Sequence, residues 1–132
     1  MKIKLDTQKG EGLHTHLRPH EAMLLNEVWN AEEPIGSGPA WRILNDKGIK
    51  VNPDARTSVS RATVIMFLDR MVDDGVLGYT EASGKGGYHK LYFPKVSREK
   101  YPEYVVKQIV EGLMRTFPRD PLVLKVAKLI GI

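Results

Sequence analysis

The chain is expected to be an α+β protein, mostly helical, and three observations carry that expectation. Val64, Phe67, Leu68 and Met71 recur at i, i+3, i+4 and i+7, the stripe of a helix with one face on a core. Two runs rich in β-branched and aromatic residues follow at once, Val76 to Glu81 and Tyr88 to Phe93, and flank a turn that contains Gly84, Lys85, Gly86 and Gly87. Two helical patterns precede this unit and two follow it. An amphipathic helix running straight into a basic, glycine-tipped hairpin is the arrangement with which a winged helix-turn-helix domain grips duplex DNA.

The elements follow in order. Residues 1–16 read as a flexible arm. Pro19 opens the first helix at its N1 position, with Glu21, Leu24, Leu25, Val28 and Trp29 on one face and an end near Asn30, before the loop AEEPIG. Ser37 can cap a second helix, with Pro39 in its first turn and Ala40, Ile43 and Leu44 inward, finishing at Gly48. Ser37, Trp41 and Arg42 at that end can meet a phosphate backbone, although Trp41 also suits core packing. The loop IKVNPDARTSV, whose Arg56 can meet the DNA backbone, then leads to Ser60, a serine placed to cap the amphipathic helix.

The outer face of that helix sets the functional expectation. From Ser60 to Met66 it holds no acid, so an arginine and the positive end of the helix dipole converge there. Arg61 can reach guanine O6 and N7, while Ala62, Ile65 and Met66 can touch thymine methyl groups and Ser60 and Thr63 anchor the helix. Ordinary packing is the plain alternative for Ile65 and Met66. In the hairpin, Lys85 and Lys90 can meet phosphates and Tyr88 and His89 can lie along the backbone, which positions a protein without reading bases. A solvated hairpin with incidental lysines is the bland reading. The glycines are no nucleotide cradle: they join strand to strand, with no GxxxxGK[ST] pattern.

Beyond the hairpin, Pro94 breaks the strand and Ser97 can cap a helix to about Thr116, with Tyr101, Tyr104, Val105, Ile109, Leu113 and Met114 on a broad apolar face. Asp120 and Pro121 start a last helix that aligns Leu122, Val123, Val126, Leu129 and Ile130. This apolar surface exceeds what one small domain covers. It argues for a homodimer through Tyr101, Val105, Ile109, Leu113, Leu122, Val126, Leu129 and Ile130, unless the tail packs on its own domain. The expected organisation is thus an arm at 1–16, a DNA-binding domain at 17–95 and a helical dimerisation segment at 96–132.

Composition narrows the classes. The formal charge is only +4, but residues 84–132 hold ten Lys and Arg against four acids, whereas residues 1–83 hold ten against twelve, so the basic excess begins at the hairpin. Cysteine is absent, which removes disulfides and thiolate metal or redox sites. No long apolar run or secretion-signal core is present, so a soluble, cytoplasmic protein without membrane contact is expected. His14, His16 and His20 are loosely spaced and lack an acidic or thiol ligand beside them, so no metal site is expected. No nucleophile, base and orienting group recur together, so neither an enzyme nor a cofactor is expected.

From Leu17 to Lys128 the chain resembles the penicillinase repressor family of winged-helix repressors, typified by BlaI and MecI. Glu21, Leu25, Val28 and Trp29 followed by Pro34 and Ile35 look like the family's opening. Ser60, Thr63, Phe67, Leu68, Arg70, Met71 and Gly75 are similar to its recognition-helix pattern, and YFPKVSREKY at Tyr92 to Tyr101 resembles its tyrosine, proline, VSREEY junction. The resemblance implies DNA binding and C-terminal dimerisation helices. It implies no inducer: Lys125 and Val126 stand where antibiotic-responsive members carry a cleavable Asn-Phe bond, and the cysteine cluster of the copper-responsive branch is missing. The leading expectation is a dimeric repressor on a pseudo-palindromic operator. The other is a winged helix that docks a protein through Ile65 and Met66.

Overall fold

A computed structural model describes residues 3–50, 58–84 and 87–132. Among them the chain is α+β, with five α-helices and a three-stranded antiparallel sheet. It divides into two compact units, residues 6–96 and residues 97–132 with 3–5.

The larger unit begins with two short 3-10 turns, Thr7–Lys9 and Gly12–Thr15. Helix α1, Pro19–Asn30, starts where Pro19 needs no hydrogen-bond acceptor, and the Glu21 carboxylate accepts from the Arg18 backbone N–H at 2.9 Å. Its inner face buries Leu24, Leu25 and Val28. Trp29 closes the stripe differently: its ring is half-buried and its Nε1 donates to the Val96 carbonyl at 2.9 Å.

Strand β1, Ile35–Gly36, lies where a loop was expected. Two residues cannot display a period-2 pattern, so only pairing reveals it: Ile35 sits opposite Tyr92 and Gly36 opposite Leu91. Helix α2, Ser37–Asp46, follows without a break. The expected cap shifts by one position, because Gly36 keeps extended backbone on leaving β1 and takes the cap place, which makes Ser37 the first helical residue. The helix also stops short of Gly48, whose φ of +66° turns the chain.

Helix α3, Arg61–Asp73, is the amphipathic helix of the sequence. Ser60 caps it, its hydroxyl accepting from the Thr63 N–H at 3.1 Å, and Val64, Phe67, Leu68 and Met71 are all buried. Gly75, at φ +81°, ends it, and the Val76 N–H returns to the Met71 carbonyl at 3.0 Å. The hairpin of β2, Leu77–Gly84, and β3, Gly87–Pro94, is longer than expected and runs until Gly84 pairs with Gly87 on either side of residues 85–86. The sheet order is β1-β3-β2.

In the smaller unit Ser97 caps only a preceding turn, accepting from the Lys100 N–H at 3.2 Å. Helix α4, Tyr101–Thr116, begins after that turn with Pro102 in its opening positions. Asp120 caps α5, Pro121–Leu129, by accepting from the Leu122 and Val123 N–H groups, both at 3.0 Å. The two helices pack together and bury Val110 and Ala127, while Tyr101 is buried and stacks on Tyr104 at 5.7 Å between ring centroids. No helix among the described residues is long and apolar enough to cross a membrane.

Candidate functional site

A concavity of the larger unit, about 560 Å³, is formed by the heads of α2 and α3 and by the hairpin. Its walls include Ser37 and Arg42 from α2, Arg61 and Ile65 from α3, and Tyr88, His89 and Lys90 from β3. Seven side chains proposed from sequence as DNA contacts are thereby brought to one surface, although they come from three separated segments.

Local geometry explains how they meet. Neither α2 nor α3 has an acid in its first turn, so two positive helix ends open toward the concavity without a carboxylate to offset them. Gly38 carries no side chain where Arg61 passes: a Cβ there would lie 3.3 Å from Arg61 Nη2. The guanidinium therefore rests against the start of α2, a position suited to an anion shared between that helix end and the arginine.

On α3 the residues Arg61, Ile65 and Asp69 are spaced at i, i+4 and i+8 and all line the concavity. Sequence alone does not mark Asp69 as part of this surface. Its Oδ1 accepts from the Tyr92 hydroxyl at 2.7 Å and from Lys90 Nζ at 3.2 Å, and the Lys90 ammonium also stands 4.8 Å from the centre of the Tyr79 ring. The hydrogen bond to Asp69 raises the Lys90 pKa, and burial, with the same carboxylate, raises that of Tyr92. Tyr92 is 2% exposed, so this acceptor is fixed from beneath. Lys90 thus reaches the surface already paired. Only an aromatic strand residue is legible in Tyr92, and only a solvated acid in Asp69; the pairing needs the register of β3 against α3.

The remaining candidates are placed as follows. Ser60 and Thr63 engage one another, their hydroxyls 2.9 Å apart, at the head of α3. Ala62 and Met66 are exposed outside the concavity, Met66 at 72%. Trp41 is half-buried and its Nε1 donates to the Val59 carbonyl at 2.8 Å, which favours the packing alternative. Arg56 and Lys85 lie outside the described residues. In the smaller unit, Leu113, Leu122 and Leu129 are exposed, the last two at 68% and 76%, and Val105, Ile109, Val126 and Ile130 are half-buried. Tyr101 is already covered within the chain, whereas Val106, Phe117 and Leu124, not named from sequence, are exposed.

Of the histidines, His20 is buried with no hydrogen-bond partner for Nδ1, and His16 Nδ1 lies 3.1 Å from the Thr15 hydroxyl. Burial lowers the pKa of both, against an opposing pull from Glu21. Among the described residues no three His, Asp or Glu are grouped to hold a metal ion. No protein-family model matches the chain, and no curated protein matches it either.

Proposed function

We propose that the larger unit is a winged helix that binds double-stranded DNA sequence-specifically, and that the chain acts as a dimeric transcriptional repressor on a pseudo-palindromic operator. The observation that carries this reading is one shared concavity onto which the heads of α2 and α3 and the cationic, aromatic hairpin all open. The element order supports it: helix, short strand, two helices and a hairpin, with β1 on the far side of β3 from β2. So does the resemblance of residues 17–128 to the penicillinase repressors. In this reading α3 enters the major groove, Arg61 and Ile65 work at its head, Ala62 and Met66 face base edges, and Ser37, Arg42, Tyr88 and His89 position the backbone. The exposed leucines of α4 and α5 support self-association through the smaller unit.

Selection of duplexes from a random library tests the reading. A palindromic consensus is expected, with affinity that falls steeply as salt rises. Arg61→Ala should cost about 1–3 kcal/mol at the cognate site and relax selectivity. No enrichment of any duplex would end the proposal. The exposed Met66 favours a second reading, a hydrophobic docking patch for another protein. Binding carried by that patch would hardly respond to salt.

A further inference from the structure

We propose that Asp69 is a selectivity residue: it clasps Lys90 in the unbound protein and withholds that cation from arbitrary DNA. This rests on the DNA-binding reading of the same surface. Nonspecific affinity is a sum over cations that neutralise phosphates. Lys90 lines the concavity yet is subtracted from that sum, since its ammonium is 3.2 Å from the Asp69 carboxylate.

Two features make the clasp discriminate. Asp69 cannot follow Lys90 outward, because the buried Tyr92 hydroxyl holds the same oxygen at 2.7 Å. When Lys90 leaves for a phosphate, a bare carboxylate therefore stays behind on the DNA-facing surface, with Asp73 one turn further along α3. A duplex in the wrong register gains one contact and meets one repulsion. A matched duplex, held also by Arg61 and Arg42, supplies the remainder of the interaction needed to open the pair. The pair can open at all because both partners are partly exposed, with side chains 42% and 37% accessible, where ion pairs are weak.

The test compares wild type, Asp69→Asn, Lys90→Met and the double variant on a duplex of arbitrary sequence across a salt series. Asparagine keeps an oxygen for Tyr92 and removes the charge. Asp69→Asn should bind the arbitrary duplex several-fold more tightly, with the slope of log K against log salt steeper by about 0.9, the release expected for one more phosphate contact. Lys90→Met, which bares the Asp69 carboxylate, should bind the arbitrary duplex more weakly than wild type without losing a full phosphate contact from the slope, and the double variant should lose the gain. The proposal is overturned if Asp69→Asn binds like wild type or if its gain survives in the double variant. Lys90→Met alone, an exposed substitution, also decides: a slope flattened by about 0.9 would mean that Lys90 already holds a phosphate in the wild type. If wild type and every variant ignore duplex DNA, the DNA reading itself falls, an outcome distinct from wild type binding with Asp69→Asn indistinguishable from it.

Discussion

The Glu21 carboxylate joins two helices at once: one oxygen accepts from the Arg18 N–H at the head of α1 and the other from the Arg70 guanidinium on α3. Glu21 is buried, whereas Arg70 is half-exposed and lies 5.3 Å from the centre of the Phe67 ring. Helix α3 is thus braced against α1 on the side away from the concavity.

Glu21→Ala is expected to destabilise the fold by about 1–3 kcal/mol, since it removes a charged acceptor from the first turn of α1 and strands Arg70. Arg70→Ala should cost a comparable amount by leaving a buried carboxylate with a single donor. The two changes should be non-additive by more than about 0.5 kcal/mol in a double-mutant cycle. The exposed Lys47–Glu27 pair, at 3.4 Å, is the control, and Lys47→Ala should change stability by less than about 1 kcal/mol. Urea unfolding measures all of these, and a Glu21→Ala midpoint no lower than that of Lys47→Ala would remove the brace.

Acid should weaken the fold through the histidines before the carboxylates titrate. His16 and His20 have pKa values lowered from the usual 6.5 by burial, so the folded state holds them neutral while the unfolded chain protonates them normally. Below about pH 6.5 the unfolded state binds more protons, and stability falls as pH falls toward the depressed folded-state values; above that it is level in this contribution. The melting temperature should therefore drop as pH falls below about 6.5, and drop less in His20→Gln. Equal acid sensitivity in wild type and His20→Gln would show that His20 contributes nothing.

Gly78 is constrained by its neighbour across the hairpin. It pairs with Phe93, and a Cβ at Gly78 would lie 2.6 Å from Phe93 Cζ and 2.9 Å from Cε2. Gly78→Ala must displace the ring, at a cost of about 1–3 kcal/mol by overpacking. An unchanged urea midpoint would mean that Phe93 moves aside without loss.

Much of this fold was legible because long periodic segments declare themselves. The stripe from Val64 to Met71, the Ser60 cap, Gly75 and the Asp120-Pro121 start all follow from local chemistry, and all stand where periodicity and capping put them. What escaped is what only tertiary pairing creates. Strand β1 has no pattern of its own, and Gly36 became a cap because a strand ends there. At the candidate site, Arg61, Ser37 and Tyr88 could be named singly, but not that Gly38 leaves space for a guanidinium. Nor could sequence show that Asp69 turns from solvent to Lys90 and Tyr92. Burial misled once, at Tyr101, whose apolar position on α4 is covered within the chain itself.

The concavity draws on residues 36–42 and 61–69, on Ala82 and on residues 88–92, and an unfolded chain holds none of it. Whatever seats there must therefore shift the melting curve upward by mass action, by about 2.7 kcal/mol at a hundred times its dissociation constant. A thermal screen over nucleic acids, peptides and small anions would report an occupant with no prior commitment to its chemistry.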